Sequence, residues 1–563
     1  MTFDSNEHHK KLSVSLDSRR GWHIVTNDNR AVHFFGFVDG ISNLEFSNIL
    51  IAQSVPNLLN FIETNTGHFM FVVNDKDFVF AATDTAGACQ LLWSKVGEKL
   101  NITDNISILV RKLNLSHSDV DKDMALAFSM SGYTVGEKTI YNGVKTLIPG
   151  HYLYLDQHCF KVSAYHKWLP TEPRKPSNDY ADQLSALNDL IIKRLINRAD
   201  GRKIVIPLSA GNDSRFIASG LAHYKYGNVL CVSYGKKGNR EARIAKEISS
   251  RLGFRHLELH YTRQLIQQTW HSNEYRRYKD FCDTGTSVHF FGEYPLLKWL
   301  RDSGEIDTTA IFANGQSGDF ISGNHILPHF LKPTSNNRSK AERLQTILDE
   351  LAKKHYALWS VLQTKERLAA LTIILQAQVL TNNILLSNHS NDFGVYEYIE
   401  FINRQSKYVL NGVKTYEYFG HEWSLPLWDR DYMDFWARVP LEYKANQKLY
   451  KETLVKQNWG NVWRDIDVNP PANFSPVLQT VRFILKASHL FAGKSKWHEF
   501  ERHYLDVFLS PTVGYAMKRY FEVWTDKRRH RNSVAFYVEE YLNDKNLNWN
   551  GKTPTQSSFE QQE

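Results

Sequence analysis

Four short runs rich in β-branched or aromatic residues, KIVIPLS, NVLCVSYG, HLELHY and TAIFANG, alternate between residues 203 and 315 with helical segments such as REARIAKEISSRLG. That alternation predicts a parallel sheet covered by helices, whose ligands gather beyond the carboxyl ends of the strands. The first run feeds directly into a tight turn, Ser209-Ala210-Gly211-Asn212-Asp213-Ser214, followed by a helix beginning near Arg215.

The chemistry of that turn follows from its place. Small residues let backbone amides approach a ligand, a helix N-terminus offers unpaired N–H donors, and the Ser hydroxyls add more, which together suit phosphate. Asp213 fits such a site if Mg²⁺ lies between carboxylate and phosphate. The competing reading is that Ser209 or Asp213 caps the helix.

Upstream, from about residue 20 to 165, the pattern is of short β-rich runs with turn signals, including GHFMFVVNDKDFVFAATD and GHYLYLDQHCFKVSAYH, which predicts a mostly antiparallel sheet domain. The segment LPTEPRKPSNDY reads as a linker and places a boundary near residue 175. The domains expected are 1–170, 176–475 and a helical extension, 476–563.

Hydrophobic residues at 42% and charged residues at 23% of 563 describe a folded globular chain. The net charge of +8 accommodates nucleotides or phosphosugars and gives no argument for nucleic acid. The polar N-terminal stretch and the lack of long apolar runs lead to the expectation of a cytoplasmic protein without a transmembrane segment. Cys89, Cys159, Cys231 and Cys282 form no CxxC pair and are expected as core thiols, with neither disulfide nor zinc.

The turn LSAGNDS resembles the S-G-G-x-D-S pyrophosphate loop of ATP-pyrophosphatases, departing at Ala210. Two further blocks are similar to the asparagine synthetase family: the run through Val232 and Ser233 to Glu241, Ala245, Leu252 and Gly253, and ANGQSGDFISGNH with Asn314, Gly315, Asp319 and Gly323. The resemblance implies an adenine nucleotide alpha hydrolase-like α/β synthase domain. In it Ser209, Ala210, Gly211, Asp213, Ser214, Val232, Ser233, Asn314 and Gly315 would bind ATP, and Asp213 and Asp319 would hold Mg²⁺ on the pyrophosphate. It further implies that a substrate carboxylate is converted to an acyl-adenylate, which ammonia or an amine attacks.

Some positions depart from the family. Gln316 and Phe320 stand where Glu is usual, so another group would take the proton; the candidate is Glu422, in a segment that retains Pro426 and Asp429 but has Ser424 for Arg, with an ordinary buried ion-paired Glu as the competing reading. Pro471 occupies the place of a catalytic Lys, leaving Lys448 or Lys451 to supply positive charge, with solvated helix lysines as the competing reading. The N-terminal region resembles the family's glutaminase half, which implies an Ntn-hydrolase-like antiparallel β domain. That half uses Cys at residue 2, where this chain has Thr2; Thr2 with its own amine after Met removal is the competing reading, but residues 3–40 lack the family's Arg and Asn-Gly substrate contacts, so glutaminase activity is expected to be lost.

His256 and His260 lie four apart on one face of a strand and lack a third ligand for zinc. The tail carries an amphipathic helix and a basic cluster, read as core-facing helices with a solvated face or as a contact for an anionic or lipid-linked substrate.

The expectation is therefore an AMP-forming carbon-nitrogen ligase using ATP and Mg²⁺, supplied with ammonia or served by a separate glutaminase, compatible with a homodimer and with peripheral membrane contact. The resemblance is strongest to the surface-polysaccharide group that converts uronic acids to uronamides. Aspartate-specific asparagine synthetase, a β-lactam or lasso-type cyclase, and a non-catalytic scaffold remain alternatives. Aromatic and polar residues in HFFGEY and NHILPHF suit a sugar ring, or simply a core.

Overall fold

The computed structural model describes residues 2–5, 11–175, 177, 179–331, 338–384, 386, 388–468, 476–510 and 513–547. The first region folds as two packed sheets. One has six antiparallel strands, in the order Phe160–Ala164, His151–Leu155, Val79–Thr83, Gly67–Asp75, Arg30–Val38, His23–Asn27. The other runs Thr2–Ser5, Leu12–Asp17, Lys99–Thr103, Leu92–Val96, Lys145–Thr146 and contains one parallel pair, Leu12–Asp17 with Lys99–Thr103.

Period-two patterning explains the layering. Along Gly67–Asp75, Phe69, Phe71 and Val73 join Phe46, Leu50, Phe61 and Ile62 of helices Asn43–Ala52 and Val55–Thr64 in one apolar layer. The alternate residues Met70 and Val72 share a second layer with Leu12, Val14, Leu16, Leu100 and Ile102 of the other sheet. Burial of each large side chain contributes about 1.5–3 kcal/mol, so a one-residue slip of register would exchange the two layers at great cost.

The second region holds a five-stranded parallel sheet in the order Arg255–His260, Val229–Gly235, Ile204–Pro207, Ile311–Ala313, Glu422–Ser424. The order reverses between Ile204–Pro207 and Ile311–Ala313, which pair through Ile204 with Ile311 and Val205 with Phe312. At such a switch point the loops leaving the two strands part to opposite faces and open a crevice. The fifth strand, Glu422–Ser424, is three residues long. It has no periodic signature, and pairing alone reveals it.

Helices follow residue 476, and the last, Val534–Asp544, returns to the body of the protein: Tyr541 stacks on Phe128 at 4.7 Å and donates to Asp283. Among the described residues no helix is long and apolar enough to cross a membrane. Cys89, Cys231 and Cys282 are buried, but Cys159 lies exposed on a turn, contrary to its expected place in the core.

Candidate active site

The helix after the first strand, Asn212–His223, begins three residues earlier than expected, with Gly211 at its N-cap and no side-chain cap. Neither Ser209 nor Asp213 is used for capping. Instead Ser214 Oγ accepts from the Ser209 amide at 3.1 Å, and Ser209 Oγ accepts from the Gly211 amide at 3.2 Å. The turn is thus braced from within. Ala210 is fully buried and its carbonyl accepts from Arg215, whose guanidinium also donates to the carbonyls of Val462, Ile466 and Asp467.

The loop after the fourth strand packs onto this turn. A Cβ at Gly315 would fall 2.6 Å from the Ser214 amide nitrogen, and one at Gly318 would meet Leu427 and the Asp213 carboxylate, so both positions require glycine for close approach. This contact brings Asp213 and Asp319 together: the Asp319 amide donates to Asp213 Oδ2 at 2.9 Å, while Tyr450 OH donates to Oδ1 at 3.2 Å.

Burial, followed by the charge of Asp319, lifts the Asp213 carboxyl well above the usual carboxylate range. Burial acts the same way on Asp319, but the hydrogen bond and charge of His325 outweigh it and hold that carboxyl low. His325 is itself pushed up to about 9, against burial, by Glu400 and Asp319.

A cleft of about 290 Å³ opens at these strand ends. Ser209, Asp213, Ser214, Val232, Ser233, Asn314 and Gly315 line it, with Ala210 and Gly211 in the turn behind and Asp319 against Asp213. Gln316 also lines it, together with Tyr234 and Glu293, which the sequence did not single out. Glu293 is buried and accepts from Tyr416 OH and, at 3.3 Å, from Asn314 Nδ2; burial pushes its carboxyl up to about 7 against these hydrogen bonds. Gln316 donates through Nε2 to the Val409 carbonyl at 3.0 Å.

Three expected residues lie elsewhere. Glu422 opens its strand opposite Ile311, at the end of the sheet away from the cleft, and is bound to Arg198 at 2.9 Å and Arg202 at 2.8 Å. It lines a separate cavity of about 1120 Å³ between the two regions, so its assignment to proton transfer in the cleft is corrected. Lys448 and Lys451 are exposed; the first lies over Tyr443 and the second donates to the Asn446 carbonyl. The solvated reading holds for both, and the helix they share, Lys448–Gln457, reaches the site through Tyr450. Pro471 lies outside the described residues. His289, Phe291 and Tyr294 of the aromatic stretch are packed in the core.

Residues 186–457 match the family model for asparagine synthase. The asparagine synthase match encloses all five strands of the parallel sheet and ends with helix Lys448–Gln457. No curated protein matches the chain. Among solved structures it is similar to an allosteric regulatory enzyme of purine biosynthesis at 10% identity and a TM-score of 0.18, covering 42% of this chain and 61% of that one. A second is a glutamine phosphoribosylpyrophosphate amidotransferase from B. subtilis complexed with ADP and GMP, at 9% identity and a TM-score of 0.18, covering 43% and 72%. The chain thus spans less than two thirds of the first of these structures.

Proposed function

We propose that this chain is an ATP-dependent amide-forming ligase. The observation that carries the reading is the convergence of Asp213 and Asp319 from two loops at the switch point, beside an uncapped helix N-terminus, within a segment of asparagine synthase type. ATP would lie in the cleft with its pyrophosphate over the turn 209–214, where main-chain N–H groups and the two Ser hydroxyls face phosphate oxygens. A substrate carboxylate oxygen attacks the α-phosphorus, the bond to the β-phosphate bridge oxygen breaks, and pyrophosphate leaves. Ammonia then attacks the acyl carbon, AMP departs and a proton is released.

The residues fit a divalent cation. Asp213 and Asp319 present hard oxygen donors, and Asp213 is held out of its comfortable ionised state by burial and by its neighbour, a condition that a bound cation relieves. Among the described residues no group of three or more His, Cys, Asp or Glu is arranged for a metal, so phosphate oxygens must complete the shell. Mg²⁺ bound there would neutralise pyrophosphate charge.

Glu293 is the proton acceptor in this reading. Gln316 cannot accept a proton and is anchored to a backbone carbonyl, whereas Glu293 lines the same cleft with a carboxyl poised near neutrality, where a general base is most effective.

Residues 1–170 are read as a degenerate glutaminase-like unit, 176–475 as the synthase and 476–563 as a helical extension. A uronic acid of surface polysaccharide is the favoured acyl donor. Phe290 and Tyr408, both half-buried, lie 6.2 Å apart, with Phe290 and Gln316 both close to Gly412, and such ring faces suit a sugar better than aspartate.

The test is acid-dependent exchange of pyrophosphate into ATP, with AMP release on adding ammonium. No exchange with any acid would leave a non-catalytic scaffold. A preference for aspartate of tenfold or more in kcat/KM, about 1.4 kcal/mol, would replace the glycan reading by an asparagine synthetase.

A further inference from the structure

The helical extension carries two unexplained features side by side. The first is helix Pro476–Ser488, of which Val477, Phe483 and Ile484 are 74%, 73% and 60% exposed, followed by Leu490 at 72% and a fully exposed Phe491. Val477, Val481 and Ile484 fall on one stripe with Lys486 on the opposite side, and the exposed Phe483 lies about 100° round the helix from Ile484, widening the apolar surface toward the Lys486 side. So much apolar surface on one short segment marks an interaction site.

The second is a cavity of about 690 Å³ that begins where this helix ends, since His489 and Ala492 are part of its wall. Lys496, Arg502, Arg529 and Arg531 also line it, against a single acid, Glu499. His530, only 3% exposed, lines it too, and among the described residues neither of its ring nitrogens has a hydrogen-bond partner, nor does Nδ1 of the buried His503. Buried polar atoms are nearly always satisfied, so these point to an absent group with oxygen acceptors and a donor. The sequence extends the bias: from Val468 to His498 it has Arg482, Lys486, Lys494 and Lys496 and no acidic residue.

We propose that the extension seats on an anionic bilayer surface, with the apolar face of helix Pro476–Ser488 in the acyl boundary and the adjoining cationic cavity holding a lipid phosphate headgroup. Charge complementarity selects this occupant. A basic, acid-free segment flanking an exposed apolar helix face is the arrangement that binds anionic lipid interfaces. The inference goes beyond the proposed synthase activity and does not depend on it.

The experiment is sedimentation of the full chain with vesicles of phosphatidylcholine alone and of phosphatidylcholine mixed with phosphatidylglycerol. Binding is expected with the mixed vesicles, much less with the neutral ones, and is expected to fall with added salt. The double variants Phe483→Glu/Ile484→Glu and Lys496→Ala/Arg502→Ala should each weaken it at least tenfold with an unchanged melting temperature. Failure to bind mixed vesicles overturns the proposal. So does equal binding to neutral vesicles that the Lys496→Ala/Arg502→Ala pair leaves intact. Stabilisation by inorganic phosphate without vesicle binding would reveal a free-anion site instead. A concentration-dependent dimer, dissolved by Phe483→Glu/Ile484→Glu and indifferent to vesicles, would reveal an interface between copies.

Discussion

The amide of Asp319 donates a 2.9 Å hydrogen bond to Oδ2 of Asp213, joining two loops 106 residues apart in the chain. One acid thereby positions the other through the main chain, independently of the Asp319 side chain. The loops are locked together by the main chain, while Asp213 also accepts from Tyr450 and Asp319 is paired with His325.

Replacing Asp213 or Asp319 by Asn should lower pyrophosphate exchange at least a hundredfold, about 2.7 kcal/mol of transition-state stabilisation. Thermal melting separates this from misfolding. Because burial and like charge disfavour ionised Asp213, Asp213→Asn should melt at or above the temperature of the parent chain. A large fall in melting temperature would show that the carboxylate is structural.

Gly318→Ala should disable the site without altering any polar group. Its methyl meets Leu427 and the Asp213 carboxylate, and overpacking of this kind costs about 1–3 kcal/mol. Loss of exchange activity with a modest fall in melting temperature is the expected result. A variant with normal turnover would mean that the loop approach does not matter to function.

The acidic limb of the kcat–pH profile should report Glu293. Its carboxyl lies near 7 in the folded chain, so it is protonated and inactive below that pH, and the rate of amide formation should rise as pH passes through about 7. Glu293→Gln should remove the limb and lower kcat while leaving pyrophosphate exchange nearly intact. The same shift has a stability consequence. A carboxyl whose folded pKa is raised favours the folded state fully below its unfolded value of about 4.3 and loses that contribution as pH rises through about 7. Relative to the parent chain, Glu293→Gln should therefore gain stability across this window, measurable by melting at pH 5 and pH 8 (about two points inside and above it).

Ammonium should support amide formation and glutamine should not. Among the described residues no cysteine lines the cavity between the two regions. Burial raises the thiols of Cys89, Cys231 and Cys282, the last two to about 12, far from the thiolate state that a glutaminase nucleophile requires. Glutamate release from glutamine by the purified chain would contradict this.

Lys444 and Glu397 form a fully buried ion pair at 2.7 Å. Lys444→Met would strand a carboxylate in the core and should cost about 3–5 kcal/mol. The double change Lys444→Met/Glu397→Leu should recover much of it, as read from denaturant unfolding.

The primary structure determined the parts of this protein that local chemistry specifies. The β-branched runs around 204–208, 229–235 and 311–313 announced a parallel sheet, because buried strands need apolar residues on both faces. Ser209, Gly211 and Asp213 announced the turn, because small residues and an acid at a strand end have few other uses. Alternation along 67–75 announced a two-faced sheet. Only the tertiary structure decided which polar residues share the cleft. Glu422 has a plausible neighbourhood in sequence, yet its strand runs parallel to Ile311–Ala313 and places it at the far end, among arginines. Lys448 and Lys451 sit on the helix that reaches Asp213, but its helical repeat turns Tyr450 inward and the lysines outward. Glu293 left no local signal, since its meaning comes from Asn314 and Tyr416, 21 and 123 residues away. Secondary structure is set by neighbours along the chain, whereas a buried carboxyl acquires its chemistry from desolvation and from partners that only folding brings near.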